Sequence, residues 1–172
     1  MDSNPKDEQF REYVLARRGV LMREAYLLTG DPQQAEDLVQ TTLAKTYVSW
    51  HRVRSSTSPD AYVRRILINT NISTFRRRRI REVLTATAPE PAAPTTPEHE
   101  WGPELIDALR SLPERQRAVV VLRYWEGLPE AEIAEALGCT VGTVRSHTSR
   151  ALKRLRGSMH ALVGPVAVRK EG

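Results

Sequence analysis

The sequence predicts an all-α fold of two small helical domains, and three observations carry this prediction. Apolar residues recur at helical spacing on both sides of one interrupting segment. The pairs Asp31-Pro32 and Ser58-Pro59 each place an N-cap residue before a proline, an arrangement typical of a helix start. Residues 85–103 hold five of the eleven prolines, which excludes a helix interior there. The chain therefore divides into two helical blocks.

The N-terminal domain, residues 8–82, is predicted to be a three-helix-type bundle. Its first helix ends at Gly30, because glycine accepts the left-handed backbone conformation that closes a helix. The second helix begins at Asp31-Pro32 and carries an apolar stripe as far as Trp50. After a serine-rich turn at 55–57, the third helix runs from about residue 60 to residue 80.

Residues 83–103 are predicted to form a linker between the domains. The segment is rich in proline and alanine, and such sequences are extended, semi-rigid and bury little surface. A four-helix domain is expected at 104–157, and the tail at 158–172 receives no role.

The C-terminal domain contains the pattern of a helix-turn-helix. Gly138 can take the positive φ that ends a short helix, and Thr140 is a suitable N-cap for the next one. Between residues 140 and 156 there are five Lys or Arg side chains and no acid. The alternative is a helical hairpin with a solvated basic face. The glycine turn, the cap and the one-sided charge together favour a second helix that enters the DNA major groove.

Charge is also segregated in the N-terminal domain. Residues 24–44 contain four acids and no base, whereas residues 61–81 contain seven arginines and no acid. Arginines at a helix end can simply complement the helix dipole and remain solvated. Four in a row at 76–79, with a pair upstream at 64–65, exceed that need, and we favour contact with phosphates.

Composition excludes several other classes. No apolar run approaches a membrane span and no signal peptide is visible, so the expected location is the cytoplasm without membrane insertion. One cysteine excludes an internal disulfide, and the four histidines lack metal-ligand spacing. No set of nucleophile, base and orienting residue is evident, so we expect neither an enzyme nor a metal or other cofactor. A net charge of +5 suits a polyanionic partner.

Several motifs, in this order and spacing, resemble the extracytoplasmic-function (ECF) group of bacterial RNA polymerase sigma factors, in particular its actinobacterial SigE-like subgroup. The group retains two domains, called region 2 and region 4. The motifs are Leu28-Thr29-Gly30-Asp31, Asp37-Leu38-Val39-Gln40, Asn69 with the arginines at 76–79, Leu112-Pro113-Glu114-Arg115-Gln116-Arg117, and Gly142-Thr143-Val144-Arg145-Ser146-His147.

The resemblance implies a protein that binds core RNA polymerase, carries it to promoters and helps to melt the DNA. Its polymerase partners would be the clamp helices of the largest subunit and the flap, and an anti-sigma factor is a further candidate partner. The resemblance places the polymerase contact on the second helix, at Asp37, Val39 and Gln40.

The same resemblance places two promoter contacts. The third helix would engage the −10 element through Tyr62, Arg65, Asn69, Arg76, Arg77 and Arg79. Tyr62 stands where the family commonly has tryptophan, and it is either a stacking surface or ordinary core. The recognition helix would engage the −35 element through Thr143, Arg145, Ser146, Ser149, Arg150 and Lys153. Arg145 and Arg150 are favoured as base readers, because arginine can bond two acceptors on one guanine.

Two other functions compete with this interpretation. A conventional operator-binding regulator would share the helix-turn-helix, but it leaves the acidic helix and the arginine-rich helix unexplained. An adaptor or anti-sigma-like protein would bind polymerase without reading DNA, and the two basic faces argue against it.

Overall fold

A computed structural model of the protein describes residues 4–85 and 101–163, with side chains described as far as residue 158. Every regular element in these ranges is a helix, which confirms the all-α prediction. Most of the predicted linker (83–103) and the end of the predicted tail (158–172) lie outside the described residues. The helices are α1 (Pro5–Thr29), α2 (Pro32–Val48), α3 (Trp50–Ser55), α4 (Pro59–Thr85), α5 (Pro103–Arg110), α6 (Glu114–Tyr124), α7 (Glu130–Leu137) and α8 (Val141–Val163).

The helix boundaries in the N-terminal domain follow from the local signals. Gly30 has φ +68° and donates its N–H to the Tyr26 carbonyl, which closes α1. Asp31 then accepts the Gln34 N–H at 2.9 Å and caps α2. Ser58 does the same for α4, accepting the Ala61 N–H at 3.2 Å.

One short helix, α3, is additional to the three that the sequence predicts in this domain. The second helix ends at Val48, two residues before the expected position, and Trp50 opens α3. This break turns the indole into the core, where its ring centroid lies 5.4 Å from that of Phe10 and 5.4 Å from that of Tyr13. α4 in turn continues to Thr85, beyond the predicted end at residue 80.

The C-terminal domain packs α6 and α7 against α8, with α5 alongside. Residues 116–122 of α6 are buried, and the apolar run 118–122 fills the centre of the domain. The same apolar cluster includes the buried side chains of Leu109, Leu112, Ile133 and Val144. The helix-turn-helix is therefore mounted on a buried central helix.

The two domains also pack against each other. Helix α1 contacts α5 and α6, and α4 contacts α6 and α7, so the buried apolar residues of both domains form one continuous cluster. The sequence had predicted only a tether between the domains. Among the described helices, none combines the length and apolar character that a membrane span requires.

Candidate nucleic-acid interface

The predicted recognition helix is α8, and the turn before it has the expected geometry. Gly138 ends α7 with φ +63°. The Thr140 hydroxyl accepts the Thr143 N–H at 3.1 Å, so it caps the first turn of α8. Val144 and Ile133, both 0% exposed, lock the two helices together. These contacts fix the direction in which the outer face of α8 points.

That outer face carries nearly all the predicted −35 residues. Thr143 is half-buried beside its cap, and the other five are exposed: Arg145, Ser146, Ser149, Arg150 and Lys153. The opposite face is buried at Val144, Thr148 and Ala151. Helix α8 thus separates a packed face from a polar, cationic face, as an element that enters a groove requires.

His147 lies between these two faces. It is half-buried, and no other described residue hydrogen-bonds its Nδ1. Burial lowers the pKa of His147, and the neighbouring Arg115 and Arg150 lower it further. The lowered pKa favours the neutral imidazole at the edge of the basic surface.

Arg145 is tied to the preceding helix through Glu130. The Arg145 Nε lies 2.8 Å from Glu130 Oε2, and Arg123 Nη1 lies 2.8 Å from Glu130 Oε1. Hydrogen bonds from Arg123, the larger effect, and from Arg145 lower the pKa of the Glu130 carboxyl. One carboxylate thus holds two guanidinium groups, one from α6 and one from the recognition helix.

The predicted −10 surface lies along α4. Arg65 and Asn69 are exposed on the first half of the helix, and Arg76, Arg77 and Arg79 are exposed on the second half. Tyr62 is half-buried: it packs on the apolar core and also lines a cleft.

The cleft has a volume of ≈ 650 Å³ and lies between α4 and α7. One wall carries Tyr62, Arg65 and Asn69. The other carries Glu132 and Glu135 from the first helix of the helix-turn-helix. In this arrangement, acidic side chains of the C-terminal domain face the predicted −10 surface.

The predicted polymerase-binding residues on α2 do not all reach the surface. Asp37 and Gln40 are exposed, and Gln33 and Glu36 hold their side chains at 3.2 and 3.3 Å. Val39 is only 1% exposed, so its side chain lies in the core and not on the exposed edge with Asp37 and Gln40. The reason is helical phase, because Val39 falls on the core stripe of α2: Ala35, Leu38, Val39, Thr42 and Thr46.

Sequence reasoning missed Arg117, which joins the domains. Its guanidinium is buried and donates to the carbonyls of Leu28 at 2.6 Å, Leu109 at 2.8 Å, Leu112 at 2.9 Å and Arg110 at 3.2 Å. Burial lowers the pKa of Arg117. Leu28 lies in the last turn of α1, which has no basic residue of its own. An arginine from the other domain therefore caps α1.

A second missed contact centres on Arg64. Its Nη2 lies 3.2 Å from Glu126 Oε2 of the C-terminal domain, and its Nε lies 3.8 Å from the buried Glu24 Oε1. Desolvation and the nearby Glu126 raise the pKa of Glu24 to about 8. The sequence does indicate that the two neighbouring arginines differ in role. Arg64 and Arg65 point about 100° apart on one helix, so only one of them is expected on the outer face.

Comparison with known proteins gives concordant matches. Residues 14–81 match the family described as Sigma-70 region 2, and residues 103–155 match Sigma-70, region 4. The RNA polymerase sigma-E factor of Streptomyces coelicolor is 44% identical over 154 residues, covering 89% of this chain and 87% of the relative. The ECF RNA polymerase sigma factor SigL of Mycobacterium tuberculosis is 35% identical over 149 residues, covering 83% of this chain and 84% of the relative.

A solved structure has a similar fold. The sigma factor RpoE of Bartonella quintana, crystallised with the anti-sigma factor NepR, superposes with a TM-score of 0.75 at 27% identity. The match covers 88% of this chain and 97% of that one.

Proposed function

Because this chain belongs to the ECF group of RNA polymerase sigma factors, we propose how its surfaces divide the work of directing core polymerase to a promoter. One observation carries the proposal. Two cationic helix faces, on α4 and α8, belong to different domains, and an exposed acidic and amide edge lies on a third helix, α2. A regulator that binds one operator does not need this set of three surfaces.

We assign −35 recognition to the outer face of α8. Arg145 and Arg150 lie on its first half, where residues of a recognition helix contact base edges. Arginine can donate two hydrogen bonds to O6 and N7 of one guanine. Thr143, Ser146, Ser149 and Lys153 flank them and are assigned to phosphates or adjacent bases.

We assign −10 binding to α4. Asn69 and Arg65 face the cleft, and Tyr62 offers part of its ring there as a stacking surface for an unstacked base. Farther along the helix, Arg76, Arg77 and Arg79 are exposed in a run and are assigned to the phosphate backbone. The two halves of α4 would thus separate base capture from electrostatic anchoring.

Docking on core polymerase is assigned to Asp37 and Gln40, with Val39 supporting them from the core. An acidic edge complements a basic protein surface and would be repelled by DNA. The protein would act in the cytoplasm. Since the similar RpoE was crystallised with NepR, an anti-sigma factor is a candidate partner of this chain as well.

The DNA assignment is tested with holoenzyme on a library of substituted −35 elements at two salt concentrations. Arg145→Ala or Arg150→Ala should cost about 1–3 kcal/mol on the preferred sequence and relax the preference at one base pair. Arg77→Gln with Arg78→Gln should instead weaken binding to every sequence alike and flatten its salt dependence. Arg11→Ala, an exposed arginine on α1, is the control. If the Arg145 and Arg150 variants lose affinity equally for all sequences, both are phosphate anchors and the base-reading assignment is wrong.

The polymerase assignment is tested by pull-down of core enzyme. Asp37→Arg with Gln40→Ala should weaken binding and leave the helical content unchanged, because both side chains are exposed. Glu12→Arg makes the same charge reversal at an exposed position of α1 and should have little effect. Retention of core enzyme by the double variant at the wild-type level would contradict the docking assignment.

A further inference from the structure

Glu130 occupies a defined position between the recognition helix and the body of its domain. It is the first residue of α7, where the positive end of the helix dipole favours a carboxylate. Its two oxygens are used separately: Oε1 accepts from Arg123 Nη1 and Oε2 accepts from Arg145 Nε, each at 2.8 Å. The Glu130 side chain is 26% exposed and that of Arg145 is 70% exposed. The carboxylate is therefore much less exposed than the guanidinium that it holds.

The atoms used in this contact matter for base recognition. A guanidinium has five N–H donors, and Glu130 takes the single donor on Nε. The donors on Nη1 and Nη2 remain at the outer end of the side chain, and these two nitrogens match the paired acceptors on one edge of guanine. Glu130 thus restrains the guanidinium at Nε and leaves the Nη1 and Nη2 donors for a DNA base.

Fixing the side chain in advance changes what binding costs. Arginine has a long chain with large rotamer entropy, which an unrestrained side chain loses when it docks. Arg123 completes the arrangement, because it anchors the other Glu130 oxygen to α6, the buried central helix. Two arginines against one carboxylate also leave this cluster with a net positive charge beside the DNA.

A plain surface ion pair is the competing explanation. Exposed pairs of this kind contribute little to folding, and their loss has a similar effect at every binding sequence. An ordinary surface pair also has no reason to involve the arginine that is assigned to read a base. The bridge from a buried helix, through one carboxylate, to the single Nε of Arg145 indicates orientation rather than general stabilisation.

We propose that Glu130 is a positioning residue for −35 recognition, which holds Arg145 in the orientation that reads one base pair. The proposal rests on the assignment of Arg145 to base readout.

The test uses holoenzyme and −35 elements substituted one base pair at a time. Arg145→Ala first identifies the base pair that Arg145 reads. Glu130→Gln should then reduce discrimination at that same base pair by about two- to tenfold, the cost of ordering one long side chain on binding. Discrimination at the other base pairs should not change. The double variant should discriminate no less than Arg145→Ala alone, because Glu130 acts only through Arg145.

Glu135→Gln is the matched control. It removes one negative charge from the same helix, but on the face that lines the cleft with α4. It should alter affinity without altering discrimination at any base pair. Thermal unfolding of each variant, compared with wild type, verifies that the domain remains folded.

The outcomes distinguish the positioning role of Glu130 from base readout by Arg145. If Arg145→Ala relaxes one base pair and Glu130→Gln does not, or if Glu130→Gln shifts affinity equally for all sequences, the positioning role is overturned and the −35 assignment stands. If neither variant relaxes any base pair, base readout by Arg145 is overturned as well.

Discussion

Replacing Arg117 by methionine should destabilise the whole protein, because this one side chain satisfies carbonyls in both domains. The variant keeps an unbranched apolar stem at this position but removes all donors to Leu28, Leu109, Arg110 and Leu112. Apolar packing in the interior of α6 is largely retained. The measured change therefore reports chiefly on the lost hydrogen bonds.

The magnitude follows from which carbonyls lose a buried donor. The Leu109 carbonyl also accepts the Leu112 N–H at 3.1 Å, and the bond to Arg110 is the longest of the four. The main cost arises at Leu28 and Leu112. An unsatisfied buried acceptor costs about 1–3 kcal/mol, and relief from burying a cation offsets part of the sum. The expected loss is about 3 kcal/mol in the free energy of unfolding, or about 6–12 °C in Tm for a chain of this size.

The assay is urea unfolding of the full chain followed by circular dichroism, with hydrogen exchange of the last turn of α1. Protection there should fall, because the Leu28 carbonyl is capped from the other domain. Arg115→Met is the control: Arg115 is exposed on the same helix, and its bond to the Leu137 carbonyl is 3.5 Å long. A loss below about 0.5 kcal/mol for Arg117→Met, no larger than that expected for a surface substitution, would refute the reasoning.

Two further predictions concern the same interface and the helix ends. Because burial raises the pKa of Glu24 to about 8, the folded state binds its proton more tightly than the unfolded state. The contribution of Glu24 to stability should therefore be largest below about pH 5 and fall between about pH 5 and 8, by at most about 1.4 kcal/mol per pH unit, and Glu24→Gln should remove this part of the slope. Parallel slopes for the two proteins in urea unfolding would contradict it. Gly30→Ala should destabilise the protein more than Gly138→Ala. Both residues have positive φ, which costs an alanine about 1–2 kcal/mol. A Cβ at Gly30 would in addition lie 2.5 Å from the Arg110 side chain, whereas the space at Gly138 is open. Equal losses in urea unfolding would count against that contact.

The features that sequence could predict are those determined within a few residues of the chain. The cap at Thr140, the helix end at Gly138 and the start at Asp31-Pro32 each depend on neighbours at most four positions away, and the structure confirms all three. The outward face of α8 also follows directly from helical period. Local rules therefore located the predicted recognition helix and its exposed residues.

The contacts between domains could not be predicted in this way. Arg117 meets Leu28 across 89 positions, and Arg64 meets Glu126 across 62, so no local pattern pairs them. The burial of Val39, in contrast, follows from local spacing. The family motif suggested a contact residue, while the spacing of Ala35 and Leu38 places Val39 on the buried stripe. Helical phase therefore predicts where its side chain lies.

The acidic wall of the cleft has a consequence for how strongly the free protein binds a −10 strand. If α4 binds the −10 strand as proposed, Glu132 and Glu135, which lie opposite Arg65 and Asn69, would make α7 compete with the DNA for the same face of the helix. The strand would then bind only while the domains are apart, and the apparent affinity would be the intrinsic affinity multiplied by the fraction of open molecules. Any partner that holds the domains apart raises that fraction toward one, and it increases promoter affinity without touching the DNA.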